Sequence, residues 1–307
     1  MADGPVQQIG REDVALYPSL TPDRRSRWWQ EVLRFWRRFK RSKGALFGFF
    51  TVCLITLMAI FPGAFTTYDP YEQHPEDFLE PPSAKHWLGV DAVGRDIWSR
   101  IVYGSRIALT VGILAVTIAM IIGVTLGLIA GYFGGILDTI IMRFIDGLLA
   151  FPLLILTIGL IAVLGPSVNN VIIAVAVGYI APFARVTRGD VLGVREETYV
   201  EAARLQGVSH FEIMLRHILP NVLAPIIVQA ALRVSQAIIA ESGLSFLGLG
   251  PPPPIPTWGS MISEGRRFIT IAWWVSTFPG LALVITIVGL NLLGDGLRDV
   301  LDPRLKD

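Results

Sequence analysis

IALTVGILAVTIAMIIGVTLGLIA, residues 107–130, runs for 24 residues without a charged side chain. A helix that crosses the hydrocarbon core of a bilayer needs roughly 20 apolar residues, so this block is long enough to span a membrane by itself. Five more blocks reach comparable length, at about 44–64, 142–164, 169–187, 219–247 and 273–294. The whole chain of 307 residues is 52% hydrophobic and only 17% charged, with a mean hydropathy of +0.56. That balance is too apolar for a soluble domain of this length. The expectation is an all-α integral membrane protein with six transmembrane helices.

Orientation follows from the flanks of the first span. Arg24, Arg25, Arg27, Arg34, Arg37, Arg38, Lys40, Arg41 and Lys43 precede it, whereas Asp69, Glu72, Glu76, Asp77 and Glu80 follow it. Basic residues stay on the cytoplasmic side, which places the N-terminus there and, after six crossings, the C-terminus as well. The basic start is too long and too rich in tryptophan for a signal peptide, so the first span is read as retained. The single cysteine, Cys53, lies inside that span and excludes an intrachain disulfide.

Residues 1–43 are expected to form a cytoplasmic segment with an amphipathic helix in the inner interface. Thr21 and Pro22 supply a cap and a first-turn proline, and Trp28, Val32, Phe35 or Trp36, and Phe39 recur at helical spacing beside arginines. Residues 44–106 hold the first span and a proline-containing external segment, and 107–307 the remaining five spans. A second external segment, 248–271, carries Pro251–Pro254 and Pro256, which favour a stiff extended loop. No internal repeat of the kind that marks inverted-repeat transporters is evident.

Between the fourth and fifth spans lies TYVEAARLQGVSHFEIMLRHILPN, residues 198–221. Thr198 with Glu201, and Ser209 with Glu212, are capping-box patterns, so two short helices are expected with Gly207 at the bend. Val208 and Ile213 are spaced for a hydrophobic staple. Pro220 falls near the start of the fifth span, where a missing donor costs least. Tyr199, Leu205, Phe211 and Met214 are candidate contact residues on a bent helical pair projecting from the bundle. Capping boxes are common, and a plain helical connector fits the same pattern.

EAARLQG followed after nine residues by HILP resembles the EAA loop of the membrane subunits of ABC importers. Glu201, Ala202, Ala203, Gly207, Leu219 and Pro220 match its pattern; His217 stands where that pattern has isoleucine. HWLGVDAVGRDIWSRIVYGSRIALTVG, GLIAGYFGG, LSFLGLG with its proline-rich loop and TWG, and LLGDGLRDVLDPRLK extend the resemblance from His86 to Lys306. As a set they are similar to the C-type permease subunits of dipeptide, oligopeptide and nickel importers. The resemblance implies a type I ABC importer permease fold, with residues of about 188–218 forming a cytoplasmic coupling loop that sits in a groove of an ATPase. It further implies a second, homologous permease subunit, two ATPase subunits that hold ATP and magnesium, and an extracytoplasmic solute-binding protein. The implied cargo is a dipeptide or oligopeptide, with nickel chelates and glutathione as alternatives.

The chain has no GxxxxGK[ST] loop, so it does not hydrolyse nucleotide by that device. His74, His86, His210 and His217 show no tight metal-ligand spacing, and no metal or cofactor is expected on this chain; His210 and His217 read as interfacial or capping residues. Charges inside spans are expensive and point to function or pairing. Arg143 and Asp146, three apart, are expected to pair with each other. Gln229, Arg233 and Gln236 recur at helical spacing in the fifth span, with Glu241 and Ser242 beyond them, and are candidates for the translocation path. A polar seam between two subunits accounts for the same spacing. Pro152, Pro182 and Pro279 favour kinks. Two other classes remain: a self-sufficient channel or secondary transporter, and a membrane enzyme using Asp91 and Asp96 as acid and base. Both aspartates read more simply as solvent-exposed charges.

Overall fold

The structure is a computed structural model that describes residues 42–301. The interfacial helix expected before residue 42, and the last residues of LLGDGLRDVLDPRLK, lie outside the described residues. Among the described residues nine helices of eight residues or more carry the architecture: α1 (Lys43–Ile60), α2 (Ile97–Phe133), α3 (Gly135–Leu149), α4 (Leu153–Leu164), α5 (Val168–Val194), α6 (Thr198–Leu205), α7 (His210–Phe246), α8 (Trp258–Gly265) and α9 (Trp274–Leu301). Among the described residues there is no strand, only an isolated antiparallel bridge between Val90 and Asp96. Five helices, α1, α2, α5, α7 and α9, are long and apolar enough to cross a membrane, and the bent pair α3 and α4 supplies a sixth crossing if it is counted as one span.

Three boundaries differ from the pattern of apolar blocks. The second span begins at Ile97, ten residues before residue 107, because Asp96 caps it: the Asp96 carboxylate accepts from the Ser99 amide at 2.7 Å. At 37 residues α2 is roughly 55 Å long by the 1.5 Å rise per residue, so it stands well outside the hydrocarbon at its start. The third block is broken rather than kinked. α3 and α4 meet at 89° around Pro152, which cannot donate an amide and biases Phe151 away from helical backbone. Pro182 and Pro279, by contrast, remain inside continuous helices. The loop expected over 248–271 contains α8, capped by the Thr257 hydroxyl accepting from the Ser260 amide at 3.2 Å.

α2 and α5 form the most extensive helix pair and the centre of the main core. Gly123 and Gly127 of α2 lie directly against the α5 backbone. A Cβ at either would sit 2.6 Å from the Ile180 carbonyl oxygen or 2.5 Å from that of Ala184. Lipid offers no hydrophobic drive between helices, so close backbone approach is what holds such a pair together. A second core gathers α1, the start of α2, α8 and α9 around Trp258, whose indole donates to the Ile101 carbonyl at 3.0 Å.

Arg143 and Asp146 do not pair with each other. Asp146 accepts from Arg185 of α5 at 2.6 Å, and Asp138 takes a two-pronged contact from Arg188 at 2.5 and 2.6 Å. These cross-helix pairs lay α3 along α5. Its three charges on fifteen residues explain why the block at 142–164 is not one straight apolar span.

Candidate functional site

The two ends of α2 differ in kind. At its C-terminal end sits a knuckle built from α6, Gly207 and the start of α7. Backbone bonds from Glu196 to Gly193 and from Glu197 to Val194 carry the end of α5 onward, so α6 is capped at Glu197 and Thr198 is already helical. The capping box expected of Thr198 and Glu201 is therefore not formed. The second cap is formed: the Ser209 hydroxyl accepts from the Glu212 amide at 3.3 Å. Gly207 turns the chain at φ +75°, a backbone conformation that costs other residues 1–2 kcal/mol or so.

After Glu212 the chain does not end a short helix. It passes through a π-wound turn, Ile213–Ile218, straight into the membrane-spanning part of α7, Leu219–Phe246. The turn directly precedes Pro220, whose missing amide interrupts the regular ladder. The knuckle is thus continuous with a span on its α7 side and linked to α5 by three residues on its other side.

Its inner face is anchored. Val200, Ala203, Ile213, Met214 and Ile218 are buried in the α2/α5 core, and Val208 packs on the same cluster as Ile213. Met214 is therefore not a contact residue. The Tyr132 hydroxyl at the end of α2 meets His210 Nδ1 at 2.7 Å, and the Arg204 guanidinium lies 5.1 Å from the centre of the Tyr132 ring. Arg195 donates to the Gly131 carbonyl at 2.8 Å. The outer face is open: Leu205 is 84% exposed, Phe211 68% and Tyr199 42%. Glu201 and Ala202 stand beside them, and Glu201 makes no ion pair among the described residues.

At the N-terminal end of α2, residues 66–96 form a strap. Asp91 and Asp96, read from sequence as surface charges, are buried. Asp91 accepts from Arg95 Nε at 2.7 Å and from Arg100 Nη1 at 2.8 Å, and Arg95 also reaches Glu264 of α8 at 2.9 Å. Burial pushes the Glu264 carboxyl above its ordinary value, and Arg95 draws it back down. Asp96 holds His86 Nδ1 at 2.9 Å. No pair of these groups forms an open acid and base; they tie the strap to α2 and α8.

The four polar candidates of the fifth span separate. Gln229 lines a cavity of about 830 Å³ between α5 and α7, with Asp190, Asn221 and Arg298. Arg233 donates to Gln236 at 2.6 Å and lies over the Tyr179 ring of α5. Glu241 is 1% exposed and accepts from Ser245 at 2.7 Å and Ser242 at 3.2 Å, inside the chain. The cavity's Asp190 was not singled out from sequence, because it closes an otherwise unremarkable run at the end of α5.

Residues 123–307, which include the knuckle and all of α5 to α9, match the family described as the inner membrane component of binding-protein-dependent transport systems. The chain belongs to that family. Residues 28–82 of the permease match the N-terminal transmembrane domain of oligopeptide transport permease C. It is 46% identical over 278 residues to the dipeptide transport system permease protein DppC of Alkalihalophilus pseudofirmus, covering 91% of this chain and 90% of that one. To the glutathione transport system permease protein GsiD of Pectobacterium atrosepticum it is 47% identical, over 91% of this chain and 92% of that one. A chain of the MetNI methionine ABC transporter, 18% identical, superposes with a TM-score of 0.54 over 66% of this permease and 96% of that chain, which places the fold among type I importer permeases. The permease is thus a multi-pass inner-membrane subunit of an ABC importer, a system that works with ATPase and solute-binding partners.

Proposed function

We infer that the permease moves dipeptides or oligopeptides inward by alternating access, driven by ATPases that bind its knuckle. The observation that carries this reading is the two-sidedness of α6 and the start of α7: one face locked into the α2/α5 core, the other presenting Leu205, Phe211 and Tyr199 beside Glu201. An anchored, bent element passes on a rigid-body displacement, whereas a loose loop absorbs it. Glu201 reaches the ATPase, Ala202 faces the same way, Ala203 anchors, Gly207 sets the bend, and Leu219 and Pro220 begin the span that is moved.

The knuckle then faces the cytoplasm, as do both termini, and the strap faces outward toward the solute-binding protein. A second, homologous permease completes the path as a heterodimer, and two ATPase subunits hold the ATP and magnesium; this chain is itself non-catalytic and needs no cofactor for transport. Gln229, Arg233 and Gln236 remain the path candidates, whereas Glu241, closed in by Ser242 and Ser245, does not line a path in this conformation. The exposed Arg233–Gln236 pair supports a polar flank on α7 that a second subunit covers, and Gln229 adds a polar group to the neighbouring cavity. The names of the similar proteins, dipeptide, di/tripeptide and glutathione permeases, favour short peptides as cargo, with glutathione as the second reading.

Glu201→Lys reverses one exposed charge on the outer face and touches nothing in the core. It is expected to abolish peptide uptake in cells while membrane levels of the permease stay normal. Uptake at the wild-type rate in that variant rejects the coupling role.

A further inference from the structure

The strap holds a cluster that lies outside the knuckle and apart from the polar candidates of α7. Asp77, on the turn Pro75–Asp77, Glu80 and His86 each bring one ligating atom within 4.8 Å of the others, and His74 and Glu76 adjoin through Asp77. Backbone bonds fix their places: Val90 donates to the Glu80 carbonyl at 3.0 Å, Asp77 to that of His74 at 2.9 Å, and Gly89 to that of His86 at 3.0 Å.

His86 makes the cluster more than a set of acids. Its ring is fully buried, stacked against Tyr68 at 4.7 Å, and its Nδ1 is committed to the Asp96 carboxylate at 2.9 Å. A carboxylate only accepts, so Nδ1 carries a proton, and in the neutral tautomer that this fixes Nε2 presents a lone pair. That Nε2 has no hydrogen-bond partner and faces Asp77 Oδ2 across 3.4 Å. With the ring neutral, two lone pairs face each other in a largely enclosed place, a contact that a cation between them, or a proton on Nε2, relieves.

We propose that Asp77, Glu80 and His86 bind a divalent transition-metal cation of the zinc class. One imidazole nitrogen and two carboxylates are a donor set that zinc accepts, with bonds of about 2.0–2.2 Å, and water or His74 completes the shell. Asp96 is the outer carboxylate that orients the ligating histidine, an arrangement general to metal-bound imidazoles. Because Asp96 also caps α2, the metal staples the strap to the start of that helix. The Lys85 ammonium, 2.5 Å from Asp77 Oδ2 and 51% exposed, is the competing cation and swings into solvent when the metal enters.

The test uses the full-length chain, purified in detergent with whatever subunits accompany it, stripped with chelator and titrated with Zn²⁺ while metal content is measured per chain. Wild type is expected to hold one zinc that Glu80→Gln and His86→Gln weaken by roughly 10-fold or more. Lys85→Ala is expected to tighten binding, a change that a purely structural ion pair at Asp77 does not produce. Glu80 and Lys85 lie partly exposed, so their variants decide the question even if His86→Gln does not fold. No zinc on wild type, or the same zinc on wild type and Glu80→Gln, overturns the site and makes His86 an imidazolium held between Asp77 and Asp96.

Discussion

At the strap end of the permease charged groups lie inside the protein, and at the knuckle end large apolar groups lie outside it. Arg100 and Asp91 are buried and paired with each other, and Asp96 is buried against His86, so the charges of that end find their partners within one chain. Leu205 and Phe211 are anchored from behind and uncovered in front, so the knuckle is half of a contact. The difference teaches where each end's partner is. Buried charge demands a partner in the same fold, because an unpaired ion out of water costs several kcal/mol. Exposed apolar surface in a rigid setting gains only when another molecule covers it.

The sharpest way to break this comparison is at Asp91. Asp91→Asn keeps the shape but leaves the buried Arg95 and Arg100 to share Glu264 as their one remaining carboxylate, 2.9 and 3.5 Å away, and is expected to destabilise the purified chain by about 3 kcal/mol. Denaturation of wild type and variant in the same detergent measures it; equal stability means that the strap's charges are not matched as described. Next in size is Phe211→Ala at the other end. It is expected to leave the chain's own stability within about 0.5 kcal/mol and to weaken ATPase binding by about 2 kcal/mol, roughly 30-fold. The reverse result, a less stable chain with undiminished binding, makes Phe211 part of the fold rather than of a contact. The smallest effect sharpens the contrast between buried and exposed charge: Arg216→Ala removes a pair with Glu212 that is largely in water, and is expected to cost only about 0.3–0.5 kcal/mol in the same denaturation assay. A loss near that of Asp91→Asn erases the distinction.

Much of the knuckle was legible because its signals are local. Gly207 at a left-handed turn, Ser209 capping Glu212 and Pro220 at the start of a span each depend on a few consecutive residues. Thr198 misled because caps are set by where the preceding helix stops, and α5 hands its chain on through Glu196 and Glu197. The strap was read least well. Asp91 and Asp96 looked like surface charges since their partners, Arg100 and His86, are recognisable only once residues 77–100 fold back on themselves. Asp146 likewise found Arg185, 39 residues away, rather than Arg143 on its own helix.

Composition and the length of its apolar runs were enough to determine that this chain lives in a bilayer as helices, since a backbone in hydrocarbon must satisfy its own hydrogen bonds within each segment. Short-range chemistry also determined the bend and the caps of the knuckle. Which charges are buried, that α3 lies along α5 through Asp138 and Asp146, and that His86 confronts Asp77 were decided only by the tertiary structure. Those outcomes depend on distances between residues far apart in the chain, and no local pattern encodes them.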